Sequence, residues 1–168
     1  MFDFIKNIFF PETETVIQVG RVYNFEVSDL AFGPLEEDTL RTIFRDGRAS
    51  SKLIENCLTH WFPELKMAPS NTRGFDHYWG TRKVEVKGFT KSGCNFLPSH
   101  MIGKGRIADP EKAFEELTAD TLCMVDITDF PKVSVRFVDH FWAYNRYPKG
   151  RIKASDRDYF FKRTVDRD

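Results

Sequence analysis

The chain has 168 residues, 41% hydrophobic and 30% charged, with no repeat or low-complexity stretch. Such a composition predicts one soluble domain, residues 1–168, and excludes a fibrous or disordered chain. Formal net charge is zero, yet residues 1–47 carry four Lys/Arg against nine Asp/Glu, a net of −5, and the remainder carries +5.

In chain order, "MFDFIKNIFF" spaces Phe2, Ile5 and Phe9 as a short amphipathic helix, expected to pack on the core or on a second subunit. "TVIQVGRVYNFEV" is rich in β-branched and aromatic residues and predicts a strand. "FGPLEEDTLRTIF" offers Pro34 near a helix start, first-turn acids, and Leu40, Ile43 and Phe44 as an apolar stripe. In "RASSKLIENCLTHWF" the residues Leu53, Ile54, Cys57, Leu58, Trp61 and Phe62 recur at one-turn spacing, Ser50 or Ser51 can cap, and Pro63 stops the helix. "KVEVKGF" reads as a short strand, and "ADPEKAFEELT" as a helix capped by Asp109 with Pro110 at its first position. "TLCMVDITDFPKVSVRFVD" predicts a hairpin, "FWAYN" a further strand, and "SDRDYFFKRTV" a closing helix with acids in its first turn. Helices before and after a run of strands define an α/β (α+β) class with a central mixed sheet flanked by helices.

Seventeen Phe predict a core filled by rings. Cys57, Cys94 and Cys123 are odd in number and form no CxxC, and His60, His77, His100 and His140 form no HxxxH or HExxH pair. The cysteines are therefore expected to be small core residues in a reducing compartment, with neither disulfides nor a zinc site. No run approaches the ~20 apolar residues of a membrane span, and the start lacks the features of a secretory signal. A cytoplasmic protein without membrane contact is the expectation. The charge asymmetry is compatible with a nucleic-acid partner, and equally with acidic and basic segments that face one another.

Chemistry concentrates in "GFDHYWGTRKVEVKGF", residues 74–89. Side chains alternate along a strand, so Glu85 and Lys87 share one face while Val84 and Val86 point to the core. If residues 74–78 form the partner strand, Asp76 returns to the same edge as Glu85. Two carboxylates brought together repel unless a cation lies between them. Mg²⁺ suits that role, since it takes one or two carboxylates and keeps water and phosphate in its other positions. Lys87 would then stand beside the attacking water.

Asp76 followed by Glu85-Val86-Lys87 resembles the PD-(D/E)xK nuclease superfamily, and within it the small dimeric type II restriction endonucleases. The family's proline before the first acid is replaced by Phe75. The resemblance, spread over residues 48–140, implies a restriction-endonuclease-like fold, Asp76 and Glu85 as metal ligands for Mg²⁺ or Mn²⁺, and Lys87 as the catalytic lysine. It further implies a homodimer cutting double-stranded DNA. Glu55, on the preceding helix, resembles the extra acid of many members, set against a plain solvated helix residue. The polar stretch after the motif holds Lys91, Asn95, Ser99, His100, Lys104 and Arg106, which the resemblance assigns to DNA; otherwise it is a surface loop. Lys149, Arg151 and Lys153 beside Tyr147 fit either a backbone-contacting loop or a solvated basic edge. The alternatives are a repair or recombination nuclease of the same fold that recognises DNA structure, and a non-catalytic binding protein whose Asp76, Glu85 and Lys87 form a surface ion-pair cluster.

Overall fold

A computed structural model describes residues 15–27, 36–45 and 47–162. The amphipathic segment expected at residues 1–10 and Pro34 lie outside them. In chain order the elements are β1 (Val22–Glu26), α1 (Glu37–Phe44), α2 (Gly47–Trp61), β2 (Leu65–Met67), β3 (His77–Trp79), β4 (Arg82–Phe89), β5 (Cys94–Asn95), α3 (Pro110–Glu115), β6 (Thr121–Asp126), β7 (Lys132–Asp139), α4 (His140–Arg146), β8 (Arg151–Ile152) and α5 (Arg157–Lys162). Short 3₁₀ turns lie at Ser99–Met101 and Ala154–Asp156.

Six strands form one mixed sheet in the order β1-β7-β6-β4-β3-β2, and β5 pairs with β8 apart from it. The β4–β6 pairing is parallel, with Glu85 beside Leu122 and Lys87 beside Met124; the other pairings are antiparallel. β6 reads "TLCMVD" and every one of its residues is buried. That is the pattern of a central strand covered on both faces, where alternation gives way to a continuous apolar run.

One face carries Val84, Cys123, Val125, Val133, Val135 and Phe137 against Leu40, Phe44, Ile54, Leu58, Trp61 and Phe62 of α1, α2 and the residue after α2. Aromatic rings fill this layer: Phe62 stands edge-on to Tyr23 and to Phe137 at 5.0 Å, and Phe25 stacks on Trp61 at 4.3 Å. The opposite face carries Phe89, Leu122, Met124 and Val138 under Phe96, Leu97, Ala143, Tyr144, Phe160 and Phe161. The sheet therefore lies between two apolar layers, and the mixed α/β class with flanking helices holds. No helix among the described residues is long and apolar enough to cross a membrane.

Three local expectations change. The strand expected across "TVIQVGRVYNFEV" is confined to Val22–Glu26, since Gly20 turns the chain at φ +88° and its N–H bonds the Phe137 carbonyl. "FWAYN" is helical: Asp139 caps α4 by accepting from the Trp142 N–H at 2.9 Å. The aromatic run has high strand propensity, and the cap together with packing of Ala143 and Tyr144 overrides it. The closing helix begins at Arg157, after a 3₁₀ turn. The Asp109 cap and Pro110 start of α3 are as expected, with Asp109 accepting from the Lys112 N–H at 3.0 Å.

Candidate active site

Asp76 lies one residue before β3, and its backbone is held from both sides. Its N–H bonds the Val84 carbonyl at 2.9 Å and its carbonyl accepts from the Ala68 N–H at 2.8 Å. His77 is already opposite Val84 in the ladder, so Asp76 and His77 both address one residue of β4, the two-against-one count of a β-bulge. β4 then runs on past the last β3 partner. There the Asp76 carboxylate accepts from the Val86 N–H at 2.8 Å and supplies the bond that β3 no longer gives. The acid thus sits along the β4 edge, between Glu85 and Lys87 in sequence register.

Glu85 and Lys87 project from the same face of β4, as strand period requires, and form an ion pair at 2.6 Å. The pair is less exposed than the surface cluster of the non-catalytic alternative would be. That face is covered, and the two side chains are 19% and 14% exposed. Lys87 Nζ also lies 3.4 Å from the Leu97 carbonyl. Leu97 is fixed in turn by Gly150, which at φ +64° leaves no room for a side chain: a Cβ there would stand 2.3 Å from Leu97 Cδ2. Burial pushes the Glu85 carboxyl above its ordinary value; Lys87 pulls the other way, and the Asp76 charge pushes it further up. Taking an ion pair out of water gains little or nothing over an apolar pair of similar volume. Stability alone therefore does not account for the pair in a ring-rich layer.

Glu55 is buried, which overturns the solvated-helix reading. Its carboxylate pairs with Lys52 at 2.5 Å on the α2 side of the sheet, and its carbonyl meets His77 Nε2 at 3.1 Å. It approaches the Asp76 side of the edge and not the Glu85–Lys87 face. Among the described residues, no group of three or more His, Cys, Asp or Glu is gathered to hold a metal ion. A hard cation would be held by the Asp76 and Glu85 oxygens with water completing its shell, a donor set that suits Mg²⁺. Burial pushes the Cys57 and Cys94 thiols up to about 12 and raises Cys123 as well, which disfavours the thiolate at all three.

The loop after β4 is brought to the Lys87 end of the site, but several of its polar groups build the loop itself. Asn95 Oδ1 accepts from the Leu97 N–H at 3.0 Å. Arg106 donates to the Ser99 and Ile102 carbonyls at 2.5 and 3.0 Å, and His100 faces Glu116 at 3.4 Å. Lys91, Ser99 and Lys104 are exposed. Arg151 donates to the Ser92 carbonyl at 3.1 Å, and Tyr147 packs on Phe160. Trp79 packs against Phe137 and donates to Glu64 at 2.5 Å.

Two polar side chains near the ion pair escaped the sequence reading: His140 and Tyr144 of α4. Their four-residue spacing was the available signal, and it carries meaning only once the segment is helical. Away from this site, a cleft of about 830 Å³ opens among β1, β7 and α5, lined in part by Asn24, Asp126, Asp129 and Arg157. Its acids Asp126 and Asp129 are both engaged by Arg157, at 2.6 and 2.5 Å. No family model, no curated protein and no solved structure matches the chain.

Proposed function

We propose that the chain is a Mg²⁺-dependent endonuclease that hydrolyses DNA phosphodiester bonds by an activated water, a PD-(D/E)xK-type enzyme with a restriction-endonuclease-like fold. One observation carries this reading: a half-buried Glu85–Lys87 pair at 2.6 Å beside an Asp76 carboxylate anchored on the intervening Val86 N–H. Asp76 and Glu85 would hold the ion, which supplies a Lewis acid for the phosphate and makes water more acidic. Asp76 is aimed by three hydrogen bonds, so it is preorganised. Lys87 orients the attacking water and offsets negative charge building on the phosphate. Leu97 and the covered face limit the solvent around it. Lys91 and Lys104 would meet phosphates, and a twofold dimer would cut both strands in the cytoplasm.

Within this reading, recognition of DNA structure competes with recognition of sequence. Asn95 reads adenine only when both its amide groups are free, and its oxygen is taken by Leu97. Arg106 is likewise turned onto carbonyls. These internal bonds favour backbone contact over base readout, as in a repair or recombination nuclease. Incubation of the protein with long duplex DNA and with branched junctions, in Mg²⁺ or Mn²⁺, followed by end-sequencing, decides between them. Discrete duplex fragments mean type II restriction-like cleavage, and cutting confined to junctions means structure recognition. No divalent-dependent cutting of either substrate refutes the nuclease.

Cation binding has its own readout. At 100 times its Kd, Mg²⁺ stabilises the fold by about 2.7 kcal/mol, which raises the melting temperature by about 5–10 °C for a chain of this size. Asp76→Ala is expected to remove most of that rise. An equal rise in the variant would place the cation elsewhere.

A further inference from the structure

The reaction above leaves two polar groups of the covered face unused. His140 and Tyr144 stand one turn apart on α4, ring centroids 5.4 Å apart, and are 3% and 5% exposed. His140 Nδ1 lies 2.9 Å from the Ala119 carbonyl. A carbonyl only accepts, so Nδ1 carries the proton and Nε2 presents a lone pair. That Nε2 and the Tyr144 hydroxyl are both enclosed, and both lack a hydrogen-bond partner among the described residues. Orphaned polar atoms in an interior are costly, so two together in one place ask for a reason.

Their surroundings indicate one. Both feel the ion pair: the Lys87 charge disfavours protonation of His140, and the Glu85 charge disfavours ionisation of Tyr144, each adding to the effect of burial. Phe96 stands edge-on to Tyr144 at 5.0 Å and 6.4 Å from His140, and belongs to the loop whose Leu97 carbonyl already meets Lys87. The ammonium has three N–H donors, and Glu85 and Leu97 account for two. When Glu85 turns its oxygens to a cation, Lys87 loses its nearest acceptor. It must then find another without leaving the site.

We propose that His140 Nε2 and the Tyr144 hydroxyl are the acceptors that receive and position the Lys87 ammonium when Glu85 releases it. The two are positioning residues: they act on the reaction through Lys87. This inference rests on the divalent-dependent reading, and it makes α4 part of the site.

Nitrogen NMR with labelled histidine tests it without any cleavage. In wild type, His140 is expected as the Nδ1–H tautomer with a free Nε2. In Glu85→Ala, the Nε2 resonance should shift toward that of a hydrogen-bonded lone pair, and Ca²⁺ added to wild type should produce the same shift without a substitution. In Glu85→Ala/Lys87→Ala the shift should vanish. An Nε2 resonance unmoved in Glu85→Ala, or moved equally in the double variant, overturns the proposal.

Kinetics supply a second arm. Among the described residues the Tyr144 hydroxyl has no partner to lose, so Tyr144→Phe should leave the melting temperature unchanged or higher while kcat falls about tenfold at constant KM for DNA. His140→Gln, which keeps an acceptor, should retain more kcat than His140→Leu. Unchanged kcat in Tyr144→Phe rejects the tyrosine. A wild-type protein inert with every divalent ion would reject the nuclease, while the nitrogen resonance still decides where Lys87 goes.

Discussion

Lys87→Ala is expected to lower divalent-dependent DNA cleavage by at least about 10²-fold, the scale on which a positioned proton-handling group contributes. Equilibrium DNA affinity should change little, because one half-buried ammonium adds little to the many phosphate contacts that set affinity. The structure adds a consequence that the sequence motif does not contain. Lys87 neutralises a carboxylate only 19% exposed, so its removal leaves Glu85 charged and partly buried. Breaking a fully buried pair costs about 3–5 kcal/mol, and residual exposure reduces that here to about 1–3 kcal/mol. Mg²⁺ should then stabilise Lys87→Ala more than it stabilises wild type, since the cation replaces the missing positive charge and has no ammonium to displace. Glu85→Gln/Lys87→Met removes both charges and should recover the stability without recovering cleavage. Thermal melts with and without Mg²⁺, run beside a cleavage assay, read all of this. A Lys87→Ala protein that cuts as fast as wild type would end the assigned role. One that is inactive yet gains no extra Mg²⁺ stabilisation would separate the lysine from the metal.

What the sequence shows of this site and what it hides follow from the range of the interactions. The α2 stripe and the shared face of Glu85 and Lys87 depend on local periods of 3.6 and 2, and the structure reproduces both. The class of fold follows from the same periods summed over the chain. Burial of the second sheet face depends on Phe96, Leu97, Tyr144 and Phe160, which arrive from the loop and α4 and α5 far along the chain. Nothing near Glu85 announces that cover, so a surface cluster stays open as an alternative until the tertiary contacts are known. The same holds for Glu55, whose burial comes from the sheet beneath α2. Asp76 shows an intermediate case. Its return to the Glu85 edge is implied by a tight turn at Gly80, whereas its bond to Val86 depends on the bulge at Asp76-His77. Reading "FWAYN" as a strand concealed the most: a strand keeps His140 and Tyr144 on one side but about 13 Å apart, and only as a helix do they meet.

Acid should destabilise the fold between pH 6.5 and about 4, and the two buried histidines set the direction. Burial, with Lys87 assisting and the Ala119 carbonyl opposing, pushes His140 from 6.5 down to about 4. Burial lowers His77 as well, against the pull of the Glu55 carbonyl and the Asp76 and Glu55 charges. A depressed folded value means that the unfolded chain takes up a proton the folded chain refuses. Above pH 6.5 both states are neutral at these rings and their contribution is complete. As pH falls the unfolded state gains, and the His140 contribution of about 3 kcal/mol is gone once pH passes the folded value near 4. Glu85 acts in the opposite sense. Its raised value means that the folded state takes up the proton first, which relieves the strain of a buried charge and offsets part of the loss. Around His140 the charged and titratable neighbours are Lys87 on β4, Asp120 before β6, and Asp139 and Tyr144 on the α4 side. Denaturant melts across this interval, compared with His140→Phe, measure the contribution. The variant lowers stability at pH 7 through the lost Ala119 bond, and its profile should be flatter toward pH 4 than that of wild type. Parallel profiles would mean that His140 is accommodated protonated, and the lone pair assigned to Nε2 would not exist.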